Sequence, residues 1–249
     1  MKKIIFLLSF VMLLVTLQAQ QTGYYNGVEG KDGEELKAQL NDIISGHTVY
    51  SYFYSKEIFK LSDQDPDNPN NVITVYGGFS RPNNDYGTGG DFLNREHIWA
   101  KSHGTFEDIL PMDSDVHNLK PADASVNVSR SNKDFDNGGT QHSEATDCYF
   151  TEYTWEPRDG AKGDVARIIF YMATRYEGEN GELDLEVVDE INTFPTPTHG
   201  RLSTLLEWNM QDPPDDFEGN RNNVIYSYKQ NRNPIIDNPE FENLIWRNV

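Results

Sequence analysis

The chain contains a single cysteine, Cys148, so an intrachain disulfide cannot hold its fold. This constraint matters because the N-terminus has the pattern of an export signal. Met1-Lys2-Lys3 precedes an apolar stretch from Ile4 to Leu17, and Ala19 is a small residue suited to cleavage. A transmembrane helix needs about 20 apolar residues, which this stretch does not reach. The sequence therefore predicts a signal peptide over residues 1–19 and an exported fold that is stabilised by packing.

The rest of the chain, residues 20–249, is predicted to form one domain. It contains no internal repeat and no Ser-, Gly- or Pro-rich linker long enough to separate two cores, and its length suits one sizeable domain. No later segment is apolar enough to cross a bilayer, so we expect no membrane anchor once the signal is removed. We expect a monomer that is secreted or periplasmic.

Hydrophobic periodicity indicates more helices than strands, and therefore an α+β fold with a small sheet. A first helix is expected between Gly33 and Gly46, where apolar residues recur at helical spacing. Further helices are expected over residues 123–131, 164–176, 203–210 and 239–246. Asp123 and Asn238 are interpreted as helix N-caps. Strands are expected over residues 72–76 and 92–99, and a polar loop over residues 61–71.

The charge of the chain is unusual for a protein that binds phosphates. Its formal net charge is −19, from 21 Lys and Arg against 40 Asp and Glu, and removal of Lys2 and Lys3 with the signal makes it about −21. Phosphate-binding proteins usually carry a basic surface. A local basic patch or a bound cation can still attract a polyanion, so the net charge alone does not exclude nucleic acid as a substrate.

Two segments concentrate the side chains that phosphodiester hydrolysis needs. Residues 94–103 contain Glu96 and His97, residues 115–132 contain Asn127, and together they hold three of the six histidines. A neutral histidine can take the proton of an attacking water, since its reference pKa of about 6.5 lies near neutrality. A carboxylate and an amide oxygen suit a hard divalent cation. Because adjacent side chains on a regular strand point to opposite faces, Glu96 and His97 can share a site only if the strand ends or bulges there.

Several motifs follow one another in a fixed order along the chain. The central ones are Asn94-Arg-Glu-His97, Asp115-x-His-Asn-Leu-x-Pro121 and Val126-Asn-x-x-Arg-Ser-Asn132. They are followed by Trp155-Glu-Pro157, Lys162-Gly-Asp-Val-Ala-Arg167 and Asn231-Arg-Asn-Pro-Ile-Ile-Asp237. This series resembles the bacterial endonuclease I family over about residues 30–247. It departs from the family at Arg158, where a second proline is expected, and in lacking the paired cysteines of disulfide-rich members.

The resemblance implies a ββα-metal (His-Me) finger core with additional helices around a small sheet. It implies His97 as the general base, and Glu96 and Asn127 as ligands of one divalent cation. Mg²⁺ is the first expectation for this cation, with Mn²⁺ and Ca²⁺ as alternatives. Arg130 and Arg167 lie in matching motifs and are assigned to the catalytic site, as phosphate contacts or as braces. The implied activity is cleavage of DNA to 5′-phosphate and 3′-hydroxyl ends with low sequence preference, and RNA is left open as a substrate.

Basic residues beside these motifs are candidates for substrate binding, although surface charges would explain them equally well. The candidates are Arg95, Lys101 and Lys120. We expect positive potential to concentrate at the site despite the acidic net charge. The residues that would supply it are these three together with Arg130, Lys133 and Arg167, completed by the bound cation.

The remaining histidines have other assignments. His117 is expected to support a ligand or to pack in the interior, and His103 has no assigned role. The structural interpretation is preferred for His47, His142 and His199.

Two other functions remain open from the sequence. A phosphodiesterase for small substrates would use the same residues, and comparing cleavage of plasmid with cleavage of an aryl phosphodiester separates the two. A secreted binding protein would keep the fold without catalysis. The intact set of Glu96, His97 and Asn127 argues against this second alternative.

Overall fold

The computed structural model describes residues 23–87, 89–90 and 92–247, so the predicted signal peptide over residues 1–19 lies outside the described residues. The fold of the described part is α+β, as predicted. Its helices are α1 (Gly33–Ser45), α2 (Ser55–Ser62), α3 (Ala124–Arg130), α4 (Lys162–Arg175), α5 (Leu202–Gln211), α6 (Asp216–Lys229), α7 (Pro234–Asp237) and α8 (Glu240–Trp246). Short 3-10 helices span Tyr52–Tyr54, Met112–Ser114 and Asp159–Ala161. Across these ranges, no helix combines the length and the apolar character that crossing a bilayer requires.

Within the described residues, the strands form four small sheets. They are β1 (Gln64–Asp65), β2 (Asn68–Ile73), β3 (Ser80–Pro82), β4 (Leu93–His97), β5 (Leu119–Asp123), β6 (Asp134–Phe135), β7 (Thr140–Gln141), β8 (Tyr149–Phe150), β9 (Thr154–Glu156), β10 (Glu186–Val187) and β11 (Thr198–His199). Their orders are β1-β2-β3, β4-β5, β6-β9-β8-β7 and β10-β11. The β6–β9 and β10–β11 pairs are parallel.

Helix α4 lies at the centre of the main hydrophobic core. Every residue from Val165 to Arg175 is buried. Helices α1, α5 and α7 pack against it. An α-helix that is surrounded in this way buries apolar residues on all faces and not on a single stripe.

The predicted first helix is confirmed at both ends. Helix α1 begins at Gly33 and is followed by Gly46, and Leu36, Leu40 and Ile44 are buried. Two acidic residues, Glu34 and Glu35, occupy the first turn, where they interact favourably with the helix dipole.

The prediction of a polar loop over residues 61–71 is wrong. Helix α2 extends to Ser62, and strands β1 and β2 occupy most of the remainder. Strand β2 begins at Asn68, although the first three of its residues are exposed, and it ends at Ile73 and not at residue 76. The hydrogen bonds between strands hold these polar residues in the sheet, and hydrophobic patterning does not report such bonds.

Helices α2, α6 and α7 were not predicted. Helix α6 shows why: its buried residues recur at helical spacing, but only Ile225 among them is apolar. The others are Glu218, Arg221, Asn222 and Lys229. Helix α8 was predicted with Asn238 as its N-cap; instead Pro239 takes that position, without a side-chain cap. A difference of one residue at a helix end is small, because helix termini fray.

Strands β4 and β5 and helix α3 form a continuous unit that joins the two polar segments of the sequence. The strands are antiparallel, with Glu96 opposite Lys120 and His97 opposite Leu119. Helix α3 follows β5 directly, and the side chain of Asp123 accepts a hydrogen bond from the backbone N–H of Ser125, which confirms it as the N-cap.

Candidate active site

An open cleft of about 600 Å³ lies at the junction of β4 and α3. Its walls contain five of the predicted site residues, which are Arg95, Glu96, His97, Lys101 and Asn127. Tyr52, Asn94 and Asn132 also line it. The cleft therefore collects side chains from both polar segments of the sequence.

The ring of His97 is held so that one nitrogen is left to accept a proton. Its Nε2 lies 2.8 Å from the backbone carbonyl oxygen of Asp113. Because a carbonyl can only accept, Nε2 carries the hydrogen, and in the neutral ring Nδ1 has the lone pair. The ring of Tyr52 stacks on His97 with a centroid distance of 5.4 Å and an interplanar angle of 13°. These contacts fix both the tautomer and the orientation of His97.

The Asp113 carboxylate supports the same orientation. Its Oδ1 lies 3.4 Å from Nε2 of His97. The interaction with the His97 ring lowers the pKa of the Asp113 carboxyl, against the effect of burial. A carboxylate at this position would stabilise positive charge on the ring.

Glu96 is a buried carboxylate with one oxygen engaged. Only 2% of the residue is exposed. Its Oε1 accepts a hydrogen bond of 2.6 Å from the Tyr76 hydroxyl and lies 3.0 Å from Nη1 of Arg130. Burial raises the pKa of Glu96, and the positive charge of Arg130 opposes this rise. Among the described residues, no hydrogen bond reaches Oε2, which leaves this oxygen available as a ligand.

Glu96 and His97 reach the same cleft because strand β4 ends at His97. The pairing of β4 with β5 is regular up to this residue. Of the two arrangements that the sequence left open, the structure has the strand end and not a bulge.

Asn127 supplies a second oxygen from helix α3. Its Nδ2 donates a hydrogen bond of 3.5 Å to the backbone oxygen of Arg95. The amide is held through its nitrogen, so Oδ1 takes no part in that contact. A carboxylate oxygen and an amide oxygen on the wall of one polar cleft are ligands that hard divalent cations prefer. The residues present therefore fit the metal site that the resemblance implies.

Arg130 lies behind the cleft and not in its wall. It is fully buried, and its guanidinium donates to the backbone oxygens of His97 and Ile98 at 3.0 and 2.6 Å. With its contact to Glu96, Arg130 joins the end of β4 to helix α3. It is placed to orient Glu96 and His97, and not to contact a phosphate.

Arg167 and Lys120 lie outside the cleft lining. Arg167 is fully buried and pairs with Glu218, with Nε to Oε1 at 2.9 Å. Lys120 is also buried, and its Nζ lies 3.1 Å from Oδ1 of Asp63 and 3.7 Å from Oδ2 of Asp164. The structure thus makes Lys120 neither a phosphate contact nor a surface charge, and Arg167 belongs to the same interior region of ion pairs.

The expected concentration of positive charge is therefore smaller than the sequence suggested. Of the six basic residues proposed for it, Arg95 and Lys101 line the cleft. Lys101 also pairs with Glu107. Lys133 donates to the backbone oxygen of Ser129 at 3.0 Å.

The structure also brings together a buried group that the sequence did not reveal. His103, Asp134 and His199 place one potential ligand atom each within 4.8 Å of one another. The donors of this group are already satisfied by the protein. His103 contacts the backbone oxygens of Thr198 and Asn132 at 2.7 and 2.8 Å, so both of its nitrogens face carbonyl acceptors.

His199 connects this group to Arg130. Its Nδ1 lies 2.9 Å from the Gly200 oxygen, and its Nε2 lies 3.3 Å from Nη2 of Arg130. Burial lowers the pKa of His199, so the neutral ring can accept from the guanidinium. His199 therefore helps to position Arg130. No motif could have shown this, because Asp134 and His199 are far apart in the sequence.

His117 packs in the interior, away from the cleft lining. Its ring lies on Tyr171 with a centroid distance of 4.5 Å, and its Nε2 lies 3.3 Å from the backbone oxygen of Asn231. Burial lowers the pKa of His117, which favours the neutral ring.

Residues 32–240 match the sequence model of the family described as Endonuclease I, which places the chain among the nucleases. The protein belongs to the endonuclease I family.

Several characterised proteins are similar to it. The chain is 53% identical to the extracellular ribonuclease of Bacillus subtilis (strain 168) over 225 residues, which cover 90% of this chain and 78% of the relative. It is 48% identical to the extracellular ribonuclease of Bacillus amyloliquefaciens over 234 residues, covering 94% of this chain and 81% of the relative. An extracellular deoxyribonuclease of Aeromonas hydrophila is 30% identical over 143 residues, which cover 55% of each chain.

Proposed function

We propose that this protein is a secreted or periplasmic endonuclease that hydrolyses the phosphodiester backbone of DNA and RNA with low sequence preference. His97 is its general base, and Glu96 and Asn127 hold one divalent cation. The observation that carries the proposal is the hydrogen bond from Nε2 of His97 to the Asp113 carbonyl, because it leaves Nδ1 as a proton acceptor in a cleft that also contains two oxygen ligands.

Each residue of the proposed site has a separate role in hydrolysis. His97 takes a proton from the attacking water through Nδ1, and Asp113 and Tyr52 keep the ring in place as it becomes charged. Arg130 holds one carboxylate oxygen of Glu96, so the other is presented in a fixed direction. When bound, the cation offsets charge on the phosphoryl oxygens and on the leaving oxygen. Mg²⁺ is the ion we propose, with Mn²⁺ and Ca²⁺ as alternatives.

The β4–β5–α3 unit corresponds in this proposal to a ββα-metal finger. Strand β4 supplies both the base and the carboxylate, β5 pairs with it, and helix α3 supplies the amide. The order of these elements and the motifs that they carry support this assignment.

Similarity to both ribonucleases and a deoxyribonuclease supports a substrate range that includes both nucleic acids. Low sequence preference is expected because the proposed site contacts the phosphate backbone, which carries no direct sequence information. Because a water supplies the nucleophile, cutting RNA does not require its 2′-hydroxyl. RNA and DNA should then give the same ends, a 5′-phosphate and a 3′-hydroxyl.

The test is cleavage of supercoiled plasmid and of RNA by the mature protein, with Mg²⁺, with excess EDTA, and with Mg²⁺ restored. We expect cleavage of both polymers, its loss in EDTA, its recovery with Mg²⁺, and 5′-phosphate ends on both products. Cyclic phosphate ends on RNA would show that the 2′-hydroxyl is the nucleophile and would overturn the mechanism. Cleavage of an aryl phosphodiester without cleavage of either polymer would favour a small-substrate phosphodiesterase.

A further inference from the structure

An exposed aromatic surface adjoins the cleft at the 3-10 helix Tyr52–Tyr54. Phe53 is 74% exposed and Tyr54 is 41% exposed, whereas aromatic rings of this size are usually well buried. Tyr52, the first residue of this 3-10 helix, lines the cleft wall. We call Tyr52, Phe53 and Tyr54 the aromatic platform.

The aromatic platform is continuous with the proposed catalytic base. Tyr52 stacks on His97, and the guanidinium of Arg95 lies over the Tyr52 ring, 3.8 Å from its centroid. The same guanidinium lies 5.1 Å from the centroid of the Phe53 ring. A base that rested on Phe53 would therefore lie beside a cation and one side chain away from His97.

The two residues on either side of Phe53 are held in place by contacts within the protein. The Tyr52 carbonyl accepts hydrogen bonds from Ser55 Oγ at 2.7 Å and from Arg95 Nη1 at 3.1 Å. Tyr54 stacks on Tyr50 with a centroid distance of 5.0 Å and an interplanar angle of 15°. The Phe53 ring meets Tyr52 edge-on, with a centroid distance of 6.0 Å and an interplanar angle of 67°. A surface whose backbone and neighbouring rings are already held loses less conformational entropy on binding, which suits the exposed Phe53 ring to stacking.

We propose that Phe53 stacks an unpaired nucleobase next to the phosphate that is cut, so that the preferred substrate of this site is single-stranded nucleic acid. The inference rests on the proposed function and names its substrate class. In a duplex the faces of each base are covered by neighbouring bases, whereas a single strand can turn a base onto an aromatic ring. Such stacking tolerates any base, which agrees with low sequence preference. Arg95 adds a positive charge where the strand's phosphates must pass.

The experiment compares one DNA strand without self-complementarity, free and in a blunt duplex, so that sugar and sequence are unchanged. The measured quantity is kcat/KM for each form. Phe53→Ala should lower it about 5- to 100-fold on the single strand, the usual effect of losing one stacked base, and by less than about twofold on the duplex. Phe53→Tyr keeps an aromatic face and should retain the wild-type rate on both.

Two further variants make the result specific. Phe53→Leu keeps apolar surface without a π face and should behave like Phe53→Ala on the single strand. Tyr153→Ala removes an aromatic ring that is 42% exposed and lies outside the cleft lining, and it should change neither rate.

Three results would each overturn the stacking inference, because each points to a contact that does not recognise an unpaired base. They are equal losses of kcat/KM on both forms, no loss on the single strand, and full activity of Phe53→Leu. If the wild-type protein cuts neither form, the proposed function fails instead. The two failures are therefore distinguishable.

Discussion

Nη1 of Arg130 lies 3.0 Å from Oε1 of Glu96, and both side chains are buried. This pair links helix α3 to the end of strand β4. A buried charge that loses its partner is strongly destabilising, because the remaining charge cannot be solvated. The pair is therefore a point where stability and the proposed chemistry depend on the same two residues.

Replacing Arg130 tests this dependence. We expect Arg130→Met to lower the free energy of unfolding by about 3–5 kcal/mol, because it leaves the Glu96 carboxylate buried without a counter-charge. The double variant Arg130→Met/Glu96→Gln should lose less than the sum of the two single losses, which urea unfolding of all four proteins can measure. Additive losses would show that the two side chains do not interact.

His97→Ala should lower kcat about 10²- to 10⁴-fold on plasmid and on RNA, because the proposed general base is lost. The control is His47→Ala, which makes the same chemical change at a histidine outside the cleft lining. Circular dichroism should show that both variants remain folded. A folded His97→Ala protein that cuts at the wild-type rate would assign the base to another residue.

Asn127→Ala should raise the Mg²⁺ concentration for half-maximal cleavage by about tenfold or more, because one oxygen ligand is lost. Asn127→Asp retains an oxygen at this position and should stay closer to wild type. The control is Val128→Ala, which changes the next residue of the same cleft wall, an exposed side chain that has no ligand atom for a metal. The measurement is a Mg²⁺ titration of initial rate, and an unchanged midpoint for Asn127→Ala would remove Asn127 from the ligand set.

Lys101 should contribute to the salt dependence of DNA binding, because it lies in the cleft wall. Binding of a duplex by His97→Ala protein is measured across a salt series, and Lys101→Ala should make the slope of log K against log salt shallower by about 0.9. Lys60→Ala removes a lysine outside the cleft lining that pairs with Glu57, and it should leave the slope unchanged. Equal slopes for all three proteins would place the phosphate path away from Lys101.

Glu242 makes stability depend on pH. Its Oε2 accepts hydrogen bonds from the side chains of Asn209 and Asn243 at 3.0 and 3.1 Å, and burial raises its pKa from 4.5 to about 7. The folded state therefore favours the neutral acid, so its contribution is fully present below pH 4.5 and is lost as the pH rises through about 7.

Glu242→Gln removes this titration. Relative to wild type, the variant should become more stable between pH 5 and pH 8, by up to about 3 kcal/mol at the upper end. Urea unfolding at several pH values measures the difference. Glu240→Gln, at an exposed carboxylate of the same helix, should show no such trend. A constant difference between wild type and Glu242→Gln across this range would contradict the assignment.

The sequence predicted those elements whose buried residues are apolar. Helices α1 and α4 were found in this way, because apolar spacing reports burial directly. Helix α6 was missed, since its buried face contains Arg221 and Lys229, which are held by hydrogen bonds and ion pairs from distant parts of the chain. Such partners cannot be identified from local sequence.

For the candidate site, the motifs predicted which residues lie together but not how they act on one another. Glu96, His97 and Asn127 share the cleft as the motifs imply. Arg130 lies behind the cleft and Lys120 is buried. These positions depend on side-chain direction and on partners such as Asp63, which pairs with Lys120. The aromatic platform was missed because Phe53 resembles an ordinary core residue until its exposure is known.

The single cysteine has a consequence for how the protein matures. Cys148 is buried, its Sγ donates to the Tyr76 carbonyl oxygen at 3.3 Å, and burial raises its pKa to about 11. The reactive thiolate is therefore scarce at neutral pH, and no oxidation step is needed to complete the fold. The same folded chain is compatible with a reducing cytoplasm and with an oxidising medium, so its acquisition of structure needs neither an oxidant nor a disulfide isomerase.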